Sequence, residues 1–159
     1  MDNHLVDSAS ISVNLEVEIP LYARARGFQF SEQFELDLSD IPEEAERLEM
    51  KTVTDNGFPI ELQLQAYFLN AEQNVFDSLF LEGPQRIASA ELGFEATVTE
   101  SVETALTAPL SGDRLQFIRR EAEEIRLTVG LSSPMDGETP ARLRDTYQVG
   151  LRMGVLAGF

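Results

Sequence analysis

Thr54-Asp55-Asn56-Gly57-Phe58-Pro59, followed by Ile60-Glu61-Leu62-Gln63-Leu64-Gln65-Ala66-Tyr67-Phe68-Leu69-Asn70, is the stretch of sequence that decides the fold. From residue 60 to residue 68 apolar residues alternate with mostly polar ones, which is the period of a β-strand with one buried face. Asn56 tolerates positive φ and Gly57 readily adopts it, so both suit a turn. Pro59 lacks an N–H and suits the first residue of a strand. The stretch predicts a turn leading into a central, half-buried strand.

The same alternation recurs along most of the chain. It covers residues 11–21, 28–38 with an interruption near Ser31, 48–52, 88–98, 102–110, 127–131 and 147–159. Residues 39–44 resemble the start of a short helix. A longer helix is predicted from a Ser111 cap to residue 125, because its apolar residues recur at spacings of three and four. The sequence therefore predicts a mainly β domain, an antiparallel β-sandwich or flattened barrel of about eight strands with one amphipathic helix packed on it.

The length of 159 residues fits one domain of ordinary size. Residues 1–10 are polar and acidic, and they show neither the basic nor the apolar segment of a signal peptide. We expect them to form a flexible leader before a single β-rich domain at residues 11–159. Residues 44–50 align with residues 121–127, which suggests an internal duplication of 11–70 and 86–159. Half-buried strands share this pattern in any case, so the alignment leaves both interpretations open.

The formal net charge of -16 opposes binding to nucleic acid and to an anionic membrane surface, because both are polyanions. An acidic, well-solvated surface explains this charge without any partner. The sequence does not identify a protein or polymer partner or the oligomeric state.

Several classes of chemistry are disfavoured by the residues present. The chain has no cysteine, and its one histidine, His4, lies in the leader, where it cannot be held beside a nucleophile. The acidic residues match no calcium-binding loop, and their spacing selects no catalytic pair. We therefore predict no catalytic residues, no metal site, no cofactor and no enzymatic activity.

Three functions remain as hypotheses. The first is a non-enzymatic cell-envelope or surface domain with a binding or structural role. The second is a carrier of an apolar ligand or lipid between curved sheets, whose cavity would be lined by Phe28, Phe30, Phe34, Phe68 and Phe94. The third is a small outer-membrane β-barrel, because the last alternating strand ends in a phenylalanine. The predicted helix and the many acids on the polar strand faces oppose the third hypothesis.

Three separated motifs carry a family resemblance. Residues 15–22 read LEVEIPLY, residues 55–59 read DNGFP, and residues 75–80 read VFDSLF. This order resembles exported, mostly uncharacterised proteins of Bacteroidetes-type bacteria, in which a similar strand precedes a similar turn. The resemblance spans most of the chain and implies a β-sandwich-like domain of a cell-envelope protein, located in the periplasm or at the cell surface. It implies no catalytic residues.

Overall fold

The computed structural model describes residues 11–15, 22–23, 28–38, 41–94, 97–132, 141–142, 144 and 146–159. The predicted leader lies outside these residues. In chain order the elements are β1 (Ile11–Leu15), β2 (Tyr22–Ala23), β3 (Phe28–Glu35), β4 (Arg47–Asn56), β5 (Glu61–Leu69), β6 (Val75–Ser78), β7 (Gln85–Ile87), β8 (Glu91–Leu92), β9 (Val98–Glu100), β10 (Val102–Ser111), α1 (Gly112–Glu121), β11 (Glu124–Ser132), β12 (Ala141–Arg142) and β13 (Val149–Gly158).

Two antiparallel sheets pack face to face as a β-sandwich. The first, called the β4 sheet, has the strand order β1-β13-β4-β10. The second, called the β5 sheet, has the order β3-β11-β5-β6, and β7 also pairs with β5. Two short pairs of strands, β2 with β12 and β8 with β9, form separate two-stranded sheets. The predicted mainly β fold with a packed helix is confirmed, in its sandwich form.

Strict alternation on β4 supplies one inner face of the core. Leu48, Met50, Thr52, Thr54 and Asn56 are all buried, whereas the residues between them are exposed or half-buried. Because successive side chains of a strand point to opposite faces, the buried set must face the β5 sheet.

The opposite inner face comes from β5, and the prediction of its buried face is correct. The buried residues of this face are Ile60, Leu62, Leu64, Ala66 and Phe68. Gln65 belongs to the other face and was predicted to be in water, yet it is only 3% exposed. The chain after β6 covers it, and its side chain donates to the Phe80 carbonyl at 2.9 Å and accepts from the Phe80 N–H at 3.1 Å. Its burial is therefore accompanied by satisfied hydrogen bonds.

The buried side chain of Asn56 organises the turn between the two sheets. Its Nδ2 donates to the carbonyl oxygens of Ile60 and Ala88, each at 2.9 Å. Its Oδ1 accepts the N–H of Phe58 at 3.0 Å. One side chain thus holds the turn, the start of β5 and the segment that precedes β8.

Gly57 is required in this turn for a reason that the sequence did not reveal. Its N–H donates to the carbonyl oxygen of Gln148 at 2.9 Å. A Cβ at this position would lie 2.7 Å from the same oxygen, too close for any side chain. The predicted reason, a positive φ, is wrong, because the positive φ angles of the described residues occur elsewhere, at Gln73, Gly83 and Gly112.

The helix α1 is shorter than predicted. Leu115 and Ile118 are buried as expected, but Ser111 makes no side-chain capping hydrogen bond. Ile125 is buried as part of β11, because the chain leaves the helix at Ala122 and enters the strand two residues later. Within the described residues, no helix has the length and apolar character needed to cross a membrane.

Residues 41–46 form a turn instead of the predicted short helix, because β4 already begins at residue 47. Arg119 of α1 donates to the carbonyl oxygens of Pro42 and Glu43, at 2.9 and 3.2 Å. A helix that continued to residue 125 would place Arg119 one turn before Glu123, but α1 ends at Glu121. Arg119 instead ties this turn to α1.

The predicted strand at residues 88–98 is interrupted. The chain turns back at Gly93, whose N–H donates to the Thr97 carbonyl at 2.8 Å, so that β8 pairs with β9. The alternation was correct as a pattern, but it does not correspond to a continuous strand of either main sheet.

The two halves of the domain share a topology. In the first half β3, β4 and β5 alternate between the sheets, and in the second half β10, β11 and β13 do the same in the opposite sense. β4 pairs with β10 and β13, and β11 pairs with β3 and β5, so each central strand has equivalent neighbours. The duplication itself stays a prediction.

Asn56→Ala should lower the free energy of unfolding by at least about 2 kcal/mol, because it leaves two buried backbone groups and one part-buried backbone group without a partner. Asn70→Ala is the matched control. The Oδ1 of Asn70 accepts two backbone N–H groups in an exposed turn, at 3.1 and 2.9 Å, where water can replace it. The control should cost less than about 1 kcal/mol in urea denaturation. Equal losses in the two variants would contradict the structural role of Asn56.

Candidate functional site

A cavity of about 390 Å³ lies between the two sheets, toward the end of the sandwich that α1 does not cover. The β5 sheet and β7 contribute most of its wall and the β4 sheet contributes the rest. The lining residues are Phe30, Ser31, Glu32, Thr54, Leu62, Leu64, Ile87, Leu127, Val129, Val149 and Leu151. Most of these side chains are apolar, so the space favours an apolar occupant over water.

Small inner residues on the β4 sheet explain why a space remains here. Near α1 the core is filled by large side chains such as Leu48 and Leu110. Farther along β4 the inner positions are Thr52 and Thr54, and the residue beside Thr54 on β10 is Thr104. Threonine is smaller than leucine, and sheets that pack about 10 Å apart leave space where short side chains face each other.

The edge strand β3 forms the rim of the cavity. Ser31 and Glu32 are exposed there, and Phe30 is half-buried. In the register of the β5 sheet, Glu32 lies opposite Leu127, whose side chain is buried in the core. Glu32 is therefore an acidic residue on the inner face of the strand, and no other described residue forms an ion pair with it.

Thr54 lines the cavity, but its hydroxyl group is buried in the wall. The side chain is 2% exposed, and its Oγ1 has no hydrogen-bond partner among the residues that the structure describes. Among the same residues, the Oγ1 of Thr52, two residues earlier on the same face, is also buried without a partner. A buried hydroxyl without a hydrogen bond costs free energy.

Of the five phenylalanines that the sequence proposed as a cavity lining, the four whose side chains the structure describes do not come together. Phe30 lines the cavity, and Phe34 packs against the core beside it. Phe68 is fully buried in packed core, and Phe94 is 95% exposed because the turn at Gly93 carries it away from the sandwich. The structure therefore places Phe94 outside the cavity, which corrects the prediction made from the sequence. The Phe28 side chain lies outside the described parts of the structure.

Sequence reasoning identified part of the actual lining and missed the rest. Leu62 and Leu64 were assigned to a buried face, although not to a cavity. Glu32 was missed, yet a signal was present, since an acid replaces an apolar residue at the even-numbered positions of β3 between Phe30 and Phe34. The interruption near Ser31 was noted without this consequence.

Other polar clusters stabilise the fold. Arg114 of α1 pairs with Asp77 at 2.9 Å and donates to the Ser78 carbonyl at 2.6 Å, which joins the helix to β6. The side-chain hydrogen bond from Gln33 and, to a smaller extent, the one from Gln73 lower the pKa of the Glu124 carboxyl group. Across the part of the chain that the structure describes, no group of three or more acidic, histidine or cysteine residues could hold a metal ion.

Comparison with known proteins establishes a likeness of fold. No family model and no curated protein matches the chain. A protein from Parabacteroides distasonis that is only presumed to be secreted is similar over 86% of this chain, with a TM-score of 0.55 and 14% identity. The chain spans 39% of the length of that protein. The Parabacteroides protein comes from a Bacteroidetes bacterium, the group to which the sequence resemblance pointed. At this sequence identity the similarity supports the sandwich fold alone.

Two further structures overlap more loosely. VP2 of infectious bursal disease virus has 10% identity and a TM-score of 0.45, and the match covers 96% of this chain and 33% of the VP2 chain. The CBM22-1 xylan-binding domain of Paenibacillus barcinonensis Xyn10C has 8% identity and a TM-score of 0.32, covering 94% of this chain and 80% of its own. Neither similarity is close enough to bear on the function of this protein.

Thr54→Val should raise the free energy of unfolding by about 1 kcal/mol, because it replaces an unpaired buried hydroxyl by a methyl group of similar size. Thr128→Val is the matched control on the outer face of β11, where the hydroxyl pairs with that of Ser31 at 2.9 Å. The control should be neutral or destabilising. A loss of stability in Thr54→Val, measured by thermal and urea denaturation, would show that its hydroxyl already has a partner.

Proposed function

We propose that this chain is a non-enzymatic binding domain that takes an apolar ligand into the cavity between its two sheets. The observation that carries the proposal is the cavity itself, about 390 Å³ between faces that are otherwise packed. Protein interiors are normally close-packed, so a space of this size is unusual in a domain core. It falls within the range of about 300–1,000 Å³ that is typical of small-molecule sites.

The chemistry of the lining supports binding over catalysis. Catalysis usually needs several titratable groups that converge on one point in a partly dry pocket. Glu32 supplies the ionisable side chain of this lining, and it lies at the rim. The inner wall is formed by residues such as Leu62, Ile87 and Val129, which offer contact area and no reactive group.

The position of the rim supports access from solvent. Ser31 and Glu32 are exposed on β3, the edge strand of the β5 sheet, so a ligand can enter beside this strand without separating the sheets. The surface charge of -16 disfavours nucleic acid and anionic membranes as partners. Export to the periplasm or cell surface is part of this proposal, and its support is the sequence resemblance together with the fold of the Parabacteroides protein.

The test is titration with N-phenylnaphthylamine, a neutral dye whose emission rises in apolar surroundings. The chain contains no tryptophan, so protein emission does not interfere. Val129→Phe places a larger side chain in the cavity and should weaken dye binding about tenfold, a change of about 1.4 kcal/mol. Because this substitution fills a cavity in a folded core, the free energy of unfolding should stay the same or rise by up to about 2 kcal/mol. The melting temperature should not fall.

Val53→Phe is the control, because Val53 lies half-buried on the outer face of β4, away from the cavity. It introduces the same change in volume and should leave dye binding unchanged. Failure of the unmodified protein to raise the dye emission would refute the proposal. So would equal dye affinity in the two variants.

A further inference from the structure

One charged side chain at the rim of an otherwise apolar cavity restricts the kind of ligand that fits it. The carboxylate of Glu32 lies at this rim, on the exposed edge strand β3. Its charge has a consequence for the charge of the ligand.

Glu32 selects against an anionic ligand. It shares the inner face of β3 with Phe30, and no described residue forms an ion pair with it. The Arg126 side chain, which reaches the same strand, donates to Gln33 on the outer face at 3.1 Å. A carboxylate head group at this rim would meet Glu32 without a nearby cation, whereas an ammonium head group would meet an opposite charge.

We infer that the ligand is a cationic amphiphile, an amine whose charged head pairs with Glu32 and whose apolar body occupies the cavity. This inference rests on the proposed function, because it requires a ligand in the cavity. Charge complementarity also holds for the protein as a whole, since its net charge is -16. An unpaired charged residue on the inner face of an edge strand has another known role, which is to prevent that strand from pairing with the edge strand of another molecule.

The experiment measures displacement of N-phenylnaphthylamine by octylamine and by octanoate near neutral pH, where the first is a cation and the second an anion. Octylamine should bind about fivefold more tightly than octanoate, the size expected for a solvent-exposed ion pair. Glu32→Gln should remove this preference. Glu35→Gln removes the same charge from the exposed outer side of β3 and should keep it.

The outcomes separate the two proposals. If the dye does not bind to the unmodified protein, the proposed function fails. If the dye binds but octylamine and octanoate displace it equally, binding stands and the inference of a cationic ligand is wrong. A charge preference that persists in Glu32→Gln would also overturn it, because the preference would then come from the overall surface charge.

Discussion

The buried side-chain amide of Asn56 makes three hydrogen bonds that fix the relative position of the two sheets of this sandwich. β4 and β5 belong to different sheets, so the turn between them must cross the core, where its backbone groups cannot all reach water. Asn56 supplies partners for Phe58, Ile60 and Ala88 at 2.9 to 3.0 Å. The close approach of Gln148 to Gly57 adds a fourth segment to the same corner. The relative position of the central strands depends on this crossing.

This corner also determines the shape of the cavity. Thr54 precedes the Asn56 turn by two residues and Leu62 follows it, so the turn sets their positions on opposite walls. Because the register of a strand fixes which face each side chain occupies, a shift of one residue in β4 would replace Thr54 by Val53 or Asp55 on the inner face. The candidate site is therefore a consequence of the same constraint that sets the fold.

The two ends of the sandwich differ in what fills the space between the sheets. At one end α1 packs Leu115 and Ile118 against the core, and Arg114 fastens the helix to Asp77. At the other end threonines face apolar residues of the β5 sheet, and the acid Glu32 lies at an edge. Packing is thus complete where the helix closes the core and incomplete where the edge strand is accessible. This asymmetry is the structural reason for proposing a binding site at the second end.

The sequence by itself determined the local features of the structure. The alternation at residues 60–68 was sufficient to predict the buried face of β5, and the spacing of Leu115 and Ile118 predicted the buried side of α1, because both periods follow from backbone geometry alone. It also predicted a sandwich-type fold, since several half-buried strands must share a core.

Only the tertiary structure decided which distant segments meet. The burial of Gln65 depends on Phe80, the need for Gly57 depends on Gln148, and the exposure of Phe94 depends on the pairing of β8 with β9. The cavity is likewise a property of two sheets together, because the space depends on the volumes of side chains that face each other across the core. Periodicity along one strand reports which face a residue occupies, but it carries no information on what lies opposite that face.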